Sequence, residues 1–125
     1  INLKVHVMKE FSCLVAVSLL DGLKTNFLFS SDPFTFEPTV NEENGGVYWD
    51  CSKTFIVDVE GNTVLNAFKV PRSAIVAISA KNRAGSPDTV YRIGTETVPA
   101  KVQLVKHLNK AKLIVKCKML ANPLD

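Results

Sequence analysis

The chain has 125 residues, of which 46% are hydrophobic and 22% are charged, and its formal net charge is +3. Since this size and composition are those of one globular domain, we expect a single domain over residues 1–125 and exclude a disordered, collagen-like or low-complexity protein. The small net charge conceals a division. Residues 1–60 hold four Lys against nine acids, whereas residues 61–125 hold eleven Lys and Arg against three acids.

The N-terminal part of the chain alternates between apolar and polar side chains, which predicts strands. A first strand is expected over residues 3–8. The next two alternating runs flank Asp21-Gly22, and Asp-Gly between such runs predicts a hairpin with a type I′ turn. A helix over residues 11–19 is the competing interpretation, because several apolar side chains there also fit one helical face.

The middle of the chain is expected to contain a loop, a strand and one short helix. Residues 30–46 include two prolines and an acidic stretch, so they predict a loop. Strand character resumes over 47–59. Residues 63–68 place apolar side chains at helical offsets, and either Asn62 or Thr63 is available as the N-cap.

The C-terminal part predicts further strands with short connections. Residues 73–80 are apolar and β-branched, residues 81–88 have the composition of a loop, and residues 89–93 alternate again. A final hairpin is expected from strands over 101–108 and 112–120. The chain therefore predicts an all-β fold, an antiparallel β-sandwich or barrel of about eight strands with one short helix.

The cysteines and the N-terminus bear on the compartment. The chain has three cysteines, Cys13, Cys51 and Cys117, all in apolar surroundings, and we expect buried thiols. No Cys-x-x-Cys pair or dense His cluster points to a metal, so no cofactor is expected. The sequence shows no signal-peptide pattern and no apolar run of membrane-spanning length. We therefore expect a protein of the cytoplasm or of a virion.

One short segment, Trp49-Asp50-Cys51-Ser52, with His107 further along the chain, resembles the signature of the NlpC/P60 cysteine peptidases. The resemblance implies that Cys51 is a nucleophile and that His107 is its base. Lys53 stands where that family has glycine, and the residues after it alternate as in a strand, where that family begins a helix. We therefore keep a peptidase only as a remote alternative to a protein without catalytic activity.

The charge division is the main functional clue. Alternation places Lys112, Lys116 and Lys118 on one face of the last strand, which predicts a basic strip. Such a strip also arises as a solvated face or as protection of an exposed sheet edge. The loops 41–46 and 81–88 are candidate arms of the acidic and basic surfaces. The interface residues predicted from this pattern are Glu42, Glu43, Lys81, Arg83, Lys112, Lys116 and Lys118.

These two surfaces favour a structural role. An acidic surface on one copy suits a basic surface on the next, and such contacts build rings or open tubes. By fold-level analogy, we expect a tail, connector or capsid component of a virus or phage that binds copies of itself or other assembly proteins. A nucleic-acid-binding barrel that uses the Lys strip is the alternative. It is less favoured because eight of the ten aromatic residues lie in the acidic half. No membrane partner is expected.

Overall fold

The structure, a computed structural model, describes residues 11–20, 25–43, 45–59, 61–80 and 88–124, which form ten strands and one helix. The predicted antiparallel all-β fold with one short helix is confirmed. The predicted strand over 3–8, the Asp21-Gly22 turn and most of the loop 81–88 lie outside the described residues. In chain order the elements are β1 (Phe11–Leu19), β2 (Asn26–Ser30), β3 (Thr39–Glu43), β4 (Gly46–Asp50), β5 (Lys53–Val57), α1 (Asn62–Ala67), β6 (Arg72–Ala80), β7 (Thr89–Ile93), β8 (Ala100–His107), β9 (Lys110–Lys116) and β10 (Lys118–Met119).

The larger sheet closes into a barrel. Its hydrogen-bonded strands follow the order β2-β1-β6-β8-β9-β5, and β7 pairs with the far part of β6. A bridge between Ser31 and Val57 joins the two ends of this order. Backbone hydrogen bonds of 2.8 and 2.9 Å lie on either side of that bridge. The closure uses few backbone hydrogen bonds, so β2 and β5 meet in a short seam.

An ion cluster supports this seam. The Lys110 ammonium donates to the Asp32 carboxylate, which follows β2, and lies 3.8 Å from the carboxylate of Asp58, which follows β5. The hydrogen bond to Asp32 is the main cause that raises the pKa of Lys110. Lys110 therefore neutralises two carboxylates, one from each side of the seam.

The core fills the barrel, and aromatic side chains close both of its ends. At one end Phe68 is fully buried, with its ring centroid 5.0 Å from that of Phe27 and 6.0 Å from that of Phe29. At the other end the ring centroid of Phe34, a residue of the segment after β2, lies 5.3 Å from that of Phe11. The Phe34 ring also packs against a phenylalanine of β5. Between them, small and β-branched residues such as the alternate residues of β6 point inward. The apolar alternation read from the sequence therefore corresponds to one buried face of a closed sheet.

The helix α1 agrees with the predicted element except at its N-cap. Gly61 occupies the N-cap with φ of 78° and ψ of 174°, and no side chain caps the first turn, so neither Asn62 nor Thr63 has the predicted role. At the other end the Arg72 guanidinium donates to the carbonyl oxygen of Ala67 at 3.2 Å. Six residues cannot form a stable helix alone, so the burial of Phe68 holds α1 on the barrel.

The β1–β2 hairpin is confirmed, but its register is not that of a simple two-residue turn. Val17 pairs with Phe27 and Val15 with Phe29, whereas a two-residue turn at Asp21-Gly22 would move this pairing by one residue. Because side chains alternate between faces, that shift would place Val17 opposite a polar residue. The match between apolar faces has determined the register here. The residues form a strand rather than the competing helix.

The acidic stretch 41–46, predicted to be a loop, is instead a β-hairpin. Strands β3 and β4 pair from Thr39↔Asp50 to Glu43↔Gly46, so two residues connect them. Gly45 has φ of 77°, a value that glycine adopts without steric cost. The overlooked signal was Asn44-Gly45, the dipeptide most typical of tight hairpins.

One pair of long strands connects the barrel to the small sheet β10-β4-β3. The β5–β9 pairing continues into the β4–β10 pairing without a shift of register. Lys53↔Val115 and Lys118↔Asp50 belong to one antiparallel alignment of the two chain segments. At Cys51 and Cys117, which belong to none of the strands, the pair passes from the barrel to the small sheet, and this junction is called the bend. There the Cys117 N–H donates to the Ser52 hydroxyl at 3.4 Å rather than to a carbonyl group of the neighbouring strand.

The last hairpin, β8–β9, is confirmed with its turn slightly earlier than expected. The closing pair is His107↔Lys110, so Leu108 and Asn109 form the turn rather than residues 109–111. Leu108 adopts φ of 53° and is 83% exposed. A β-hairpin turn of two residues requires positive φ, and an exposed Leu accepts it at the cost of some backbone strain.

Candidate interaction surface

The basic strip, defined as Lys112, Lys116 and Lys118, lies along one side of the β9–β10 strand. Lys112 and Lys116 project from the outer wall of the barrel, between inward-facing residues of β9. Lys118 lies beyond the bend, and the uninterrupted register places it on the same side. The register therefore places the three lysines on one side, although the last of them belongs to the small sheet.

The neighbouring strand widens the strip. Lys101 of β8 lies directly opposite Lys116 of β9, and directly opposed like charges destabilise a sheet. Lys101 donates a hydrogen bond to the Ser73 hydroxyl at 2.7 Å, which provides no negative charge. Within the described residues, neither Lys112 nor Lys116 forms an ion pair. Among the described residues, no ion pair therefore compensates the positive charge on this wall of the barrel.

The strip ends at an aromatic side chain. The Lys118 ammonium lies 4.7 Å from the centroid of the Tyr48 ring, a cation–π contact. Asp50 is the cross-strand partner of Lys118. Hydrogen bonds from the side chain and the backbone of Ser52 hold the pKa of Asp50 below its ordinary value, and the backbone N–H is 3.0 Å from the carboxylate. The charge at this end is therefore partly balanced, unlike that at Lys116.

The predicted acidic residues lie on a projecting hairpin rather than in a loop. Glu42 is exposed on β3, whereas Glu43 belongs to β3 with a side chain outside the described residues. Val40 and Val47, on the same face as Glu42, are each 54% exposed. Apolar and acidic side chains therefore lie together on one face of this hairpin.

Lys81 and Arg83, the two remaining predicted interface residues, lie outside the described residues. In the structure, the strip and the acidic hairpin are therefore two separate surfaces. Alternation along a single strand does not by itself make Lys101 or Tyr48 a neighbour of the strip. Strand pairing provides both neighbours, and a single strand's periodicity carries no information on its partner strand.

The structure does not bring Cys51 and His107 together. Cys51 lies at the bend opposite Cys117, whereas His107 closes the β8–β9 turn at the other end of β9. The two positions are seven residues apart along β9, which corresponds to about 20 Å in a strand. Burial raises the pKa of the Cys51 thiol to about 12, and Ser52–Lys53 lead into strand β5 rather than into a helix. Cys51 and His107 therefore do not form the nucleophile–base pair that the peptidase resemblance implies.

Two clefts flank the seam between β2 and β5. One, of about 390 Å³, lies between the segment after β2 and β5, with Lys53 and Phe34 in its wall. The other, of about 380 Å³, lies beside α1 and β2, with Asp58 and Val64 in its wall. Neither wall contains a histidine or a cysteine among the described residues. The clefts are the gaps that remain where the two strands diverge from their short seam.

Comparison with known proteins identifies no relative, since no family model matches the chain and no curated protein or solved structure matches it significantly. In the parts of the chain that the structure describes, no three His, Cys, Asp or Glu side chains are grouped to hold a metal ion. The single helix among those residues is far too short to cross a membrane. Functional inference therefore depends on the surface itself.

Proposed function

We propose that this protein is a non-enzymatic assembly subunit that binds other copies of itself, or other assembly proteins, through oppositely charged surfaces. The basic surface is the strip on β9–β10 with Lys101, and the acidic surface is the β3–β4 hairpin with Glu42. By fold-level analogy, the proposed setting is a virus or phage particle, within the cytoplasm or the virion.

The observation that carries the proposal is the uncompensated charge at Lys101 and Lys116. Opposed lysines weaken a sheet, so a partner that neutralises them recovers that free energy. The acidic hairpin is the matching surface, because Glu42 is exposed beside two half-exposed valines. Apolar contact supplies affinity at such an interface, and complementary charge supplies orientation and rate.

Sedimentation velocity of charge variants tests this proposal. We expect the wild-type protein to associate at low salt and to dissociate at high salt, because screening weakens exposed charge pairs. Lys116→Glu and Glu42→Lys should each shift the protein towards monomer. The double variant Lys116→Glu/Glu42→Lys should restore association, because it exchanges the signs of the two surfaces.

Arg92→Glu is the matched control for this experiment. Arg92 is exposed on β7, which pairs with β6 and not with the strand that carries the strip, and its reversal changes the net charge by the same amount. The proposal fails if Arg92→Glu weakens association as much as Lys116→Glu, because net charge would then be the cause. It also fails if the wild-type protein is monomeric at low salt and retains no partner in a pull-down.

Nucleic-acid binding is the second candidate function, and the Lys118–Tyr48 contact favours it. Single-strand binders combine a cationic track with aromatic faces on which bases stack. Tyr48 lies beside the strip although it comes from the acidic half of the sequence. The strip has lysine rather than arginine, which suits contacts to phosphate more than contacts to base edges.

Fluorescence anisotropy with single- and double-stranded DNA distinguishes this candidate. Binding through the strip predicts that log affinity falls linearly with log salt. Lys116→Glu should make this slope less steep by an amount that corresponds to about one lost phosphate contact or more. Tyr48→Phe should preserve the affinity for single strands and Tyr48→Ala should lower it, because stacking needs the ring. A titration without binding to either DNA excludes the candidate.

A further inference from the structure

The bend between the barrel and the small sheet carries two cysteines in directly opposed positions. The Cys51 N–H donates to the Cys117 carbonyl oxygen at 2.9 Å, so the two residues are cross-strand neighbours. Both side chains fall on the inward side of the register and are buried. Each is a free thiol in this structure. We propose that Cys51 and Cys117 form a reversible cross-strand disulfide when the protein meets a peroxide.

The backbone geometry suits such a bond. The hydrogen bond from the Cys51 N–H to the Cys117 carbonyl makes this a hydrogen-bonded antiparallel pair, whose Cα atoms are about 5.5 Å apart, within the roughly 4.4–6.8 Å of disulfides. Their Cβ atoms are typically about 4.5–5.5 Å apart, whereas a disulfide needs about 3.5–4.5 Å. Closure therefore requires a small local approach of the strands. The bend permits it, because Cys117 donates its N–H to the Ser52 side chain at 3.4 Å, not to the opposing backbone.

The chemistry balances with hydrogen peroxide as the oxidant. The Cys117 thiolate attacks one peroxide oxygen, the O–O bond breaks, and Cys117 becomes a sulfenic acid while hydroxide leaves. The Cys51 thiolate then attacks the Cys117 sulfur, the S–S bond forms, the S–O bond breaks and a second hydroxide leaves. The two protons released when the thiols ionised convert both hydroxides to water. Two thiols are oxidised and one peroxide is reduced to two waters. Cys117 is the first to react because its side chain is 5% exposed and that of Cys51 is 0%.

The bond would join the strand that enters the barrel to the strand that leaves it. Cys51 lies between β4 and β5, and Cys117 lies between β9 and β10. A disulfide there fixes the angle at which the small sheet, with its acidic hairpin, projects from the barrel. Oxidation would therefore control the position of one binding surface relative to the other. This consequence rests on the proposed function, whereas the formation of the bond does not.

Mass spectrometry of a Cys13→Ser variant tests the proposal. Cys13 is exposed, so the prediction of a buried thiol is wrong at this position, and its removal leaves the two opposed thiols as the only cysteines of the chain. After treatment with peroxide, we expect the loss of two hydrogen atoms, a proteolytic fragment that links Cys51 to Cys117, and no free thiol after unfolding. Dithiothreitol should restore the original mass. The rate should rise with pH, because burial keeps both thiols protonated near neutrality.

Two results would overturn the proposal. The first is the recovery of both thiols unchanged from folded protein after prolonged treatment with peroxide. The second is oxidation of Cys117 to sulfinic or sulfonic acid without a link to Cys51. The variant Cys13→Ser/Cys51→Ser is the control, because its Cys117 has no partner and should accumulate a sulfenic acid that dimedone traps. Sedimentation of the oxidised and reduced forms then tests assembly separately.

Discussion

Replacement of Phe68 by alanine should test the account of how α1 is held on the barrel. Phe68 follows the helix, is 0% exposed and packs edge-to-face against Phe27 at 5.0 Å and Phe29 at 6.0 Å. Its carbonyl oxygen also accepts a hydrogen bond from the N–H of Leu104 in β8 at 3.0 Å. The alanine variant keeps this backbone bond and removes only the ring.

Two routes give the same magnitude for this change. Phe→Ala substitutions in cores cost about 3–5 kcal/mol, including the cavity that remains. Burial of an aromatic side chain of roughly 150–250 Å² at about 25 cal/mol per Å² corresponds to roughly 4–6 kcal/mol. A chain of this length has a free energy of unfolding of roughly 6–19 kcal/mol. The variant should therefore fold with a melting temperature lower by roughly 10–20 °C.

Urea denaturation and thermal melting measure the effect, and Val70→Ala is the control. Val70 is two residues away and 65% exposed, so its replacement should change the free energy of unfolding by about 0.5 kcal/mol or less. Phe68→Leu should fall between the two. If Phe68→Ala shifts the urea midpoint no more than Val70→Ala does, the ring does not fill the end of the barrel as described.

Three further substitutions test other parts of the structure by urea denaturation. Gly94→Ala should destabilise the fold far more than Gly61→Ala. A Cβ at Gly94 would lie 2.7 Å from the backbone nitrogen of Ala100, whereas a Cβ at Gly61 meets nothing within 4 Å. Equal losses of unfolding free energy would show that positive φ alone matters. Lys110→Met should lower the free energy of unfolding because two carboxylates at the seam lose their shared cation, and this decrease should be smaller at high salt. A decrease that does not depend on salt would contradict this. The wild-type free energy of unfolding should fall as pH rises from 9 towards the pKa of about 12 of Cys51. The reason is that the stability contributed by a raised thiol pKa is fully present below the unfolded value and is lost as pH rises to the folded value, and Cys51→Ser should lack this component. Identical pH slopes for the two proteins would contradict the buried thiol.

Prediction of the strands and the helix from the sequence succeeded where periodicity and local turn chemistry act together. Strand alternation identified β1, β2 and β4–β9, and helical offsets identified the helix near residues 62–67, because a buried face needs apolar residues at a fixed spacing. It failed at β3, where the described side chains are exposed and so leave no apolar alternation. Only the Asn44-Gly45 turn signal was available there. It also failed at the N-cap, where Gly61 is found, because burial of the following Phe68 holds the helix without a capping side chain.

The interaction surface was predictable only in part. Lys112, Lys116 and Lys118 share a face because alternation continues through the bend, and residue spacing alone shows this. The presence of Lys101 opposite Lys116 depends on strand pairing. The contact of Tyr48 with Lys118 also depends on it, since residues distant in the chain meet only through the fold.

By itself, the sequence determined the all-β class, the strand periodicity and the split of charge between its halves, because these follow from local spacing and composition. Tertiary structure alone decided that the sheet closes at Ser31 and Val57 and that the strip acquires Lys101. It also placed Cys51 against Cys117. These contacts join residues far apart in the chain, and they arise because the apolar faces of all the strands must be buried against one another at once.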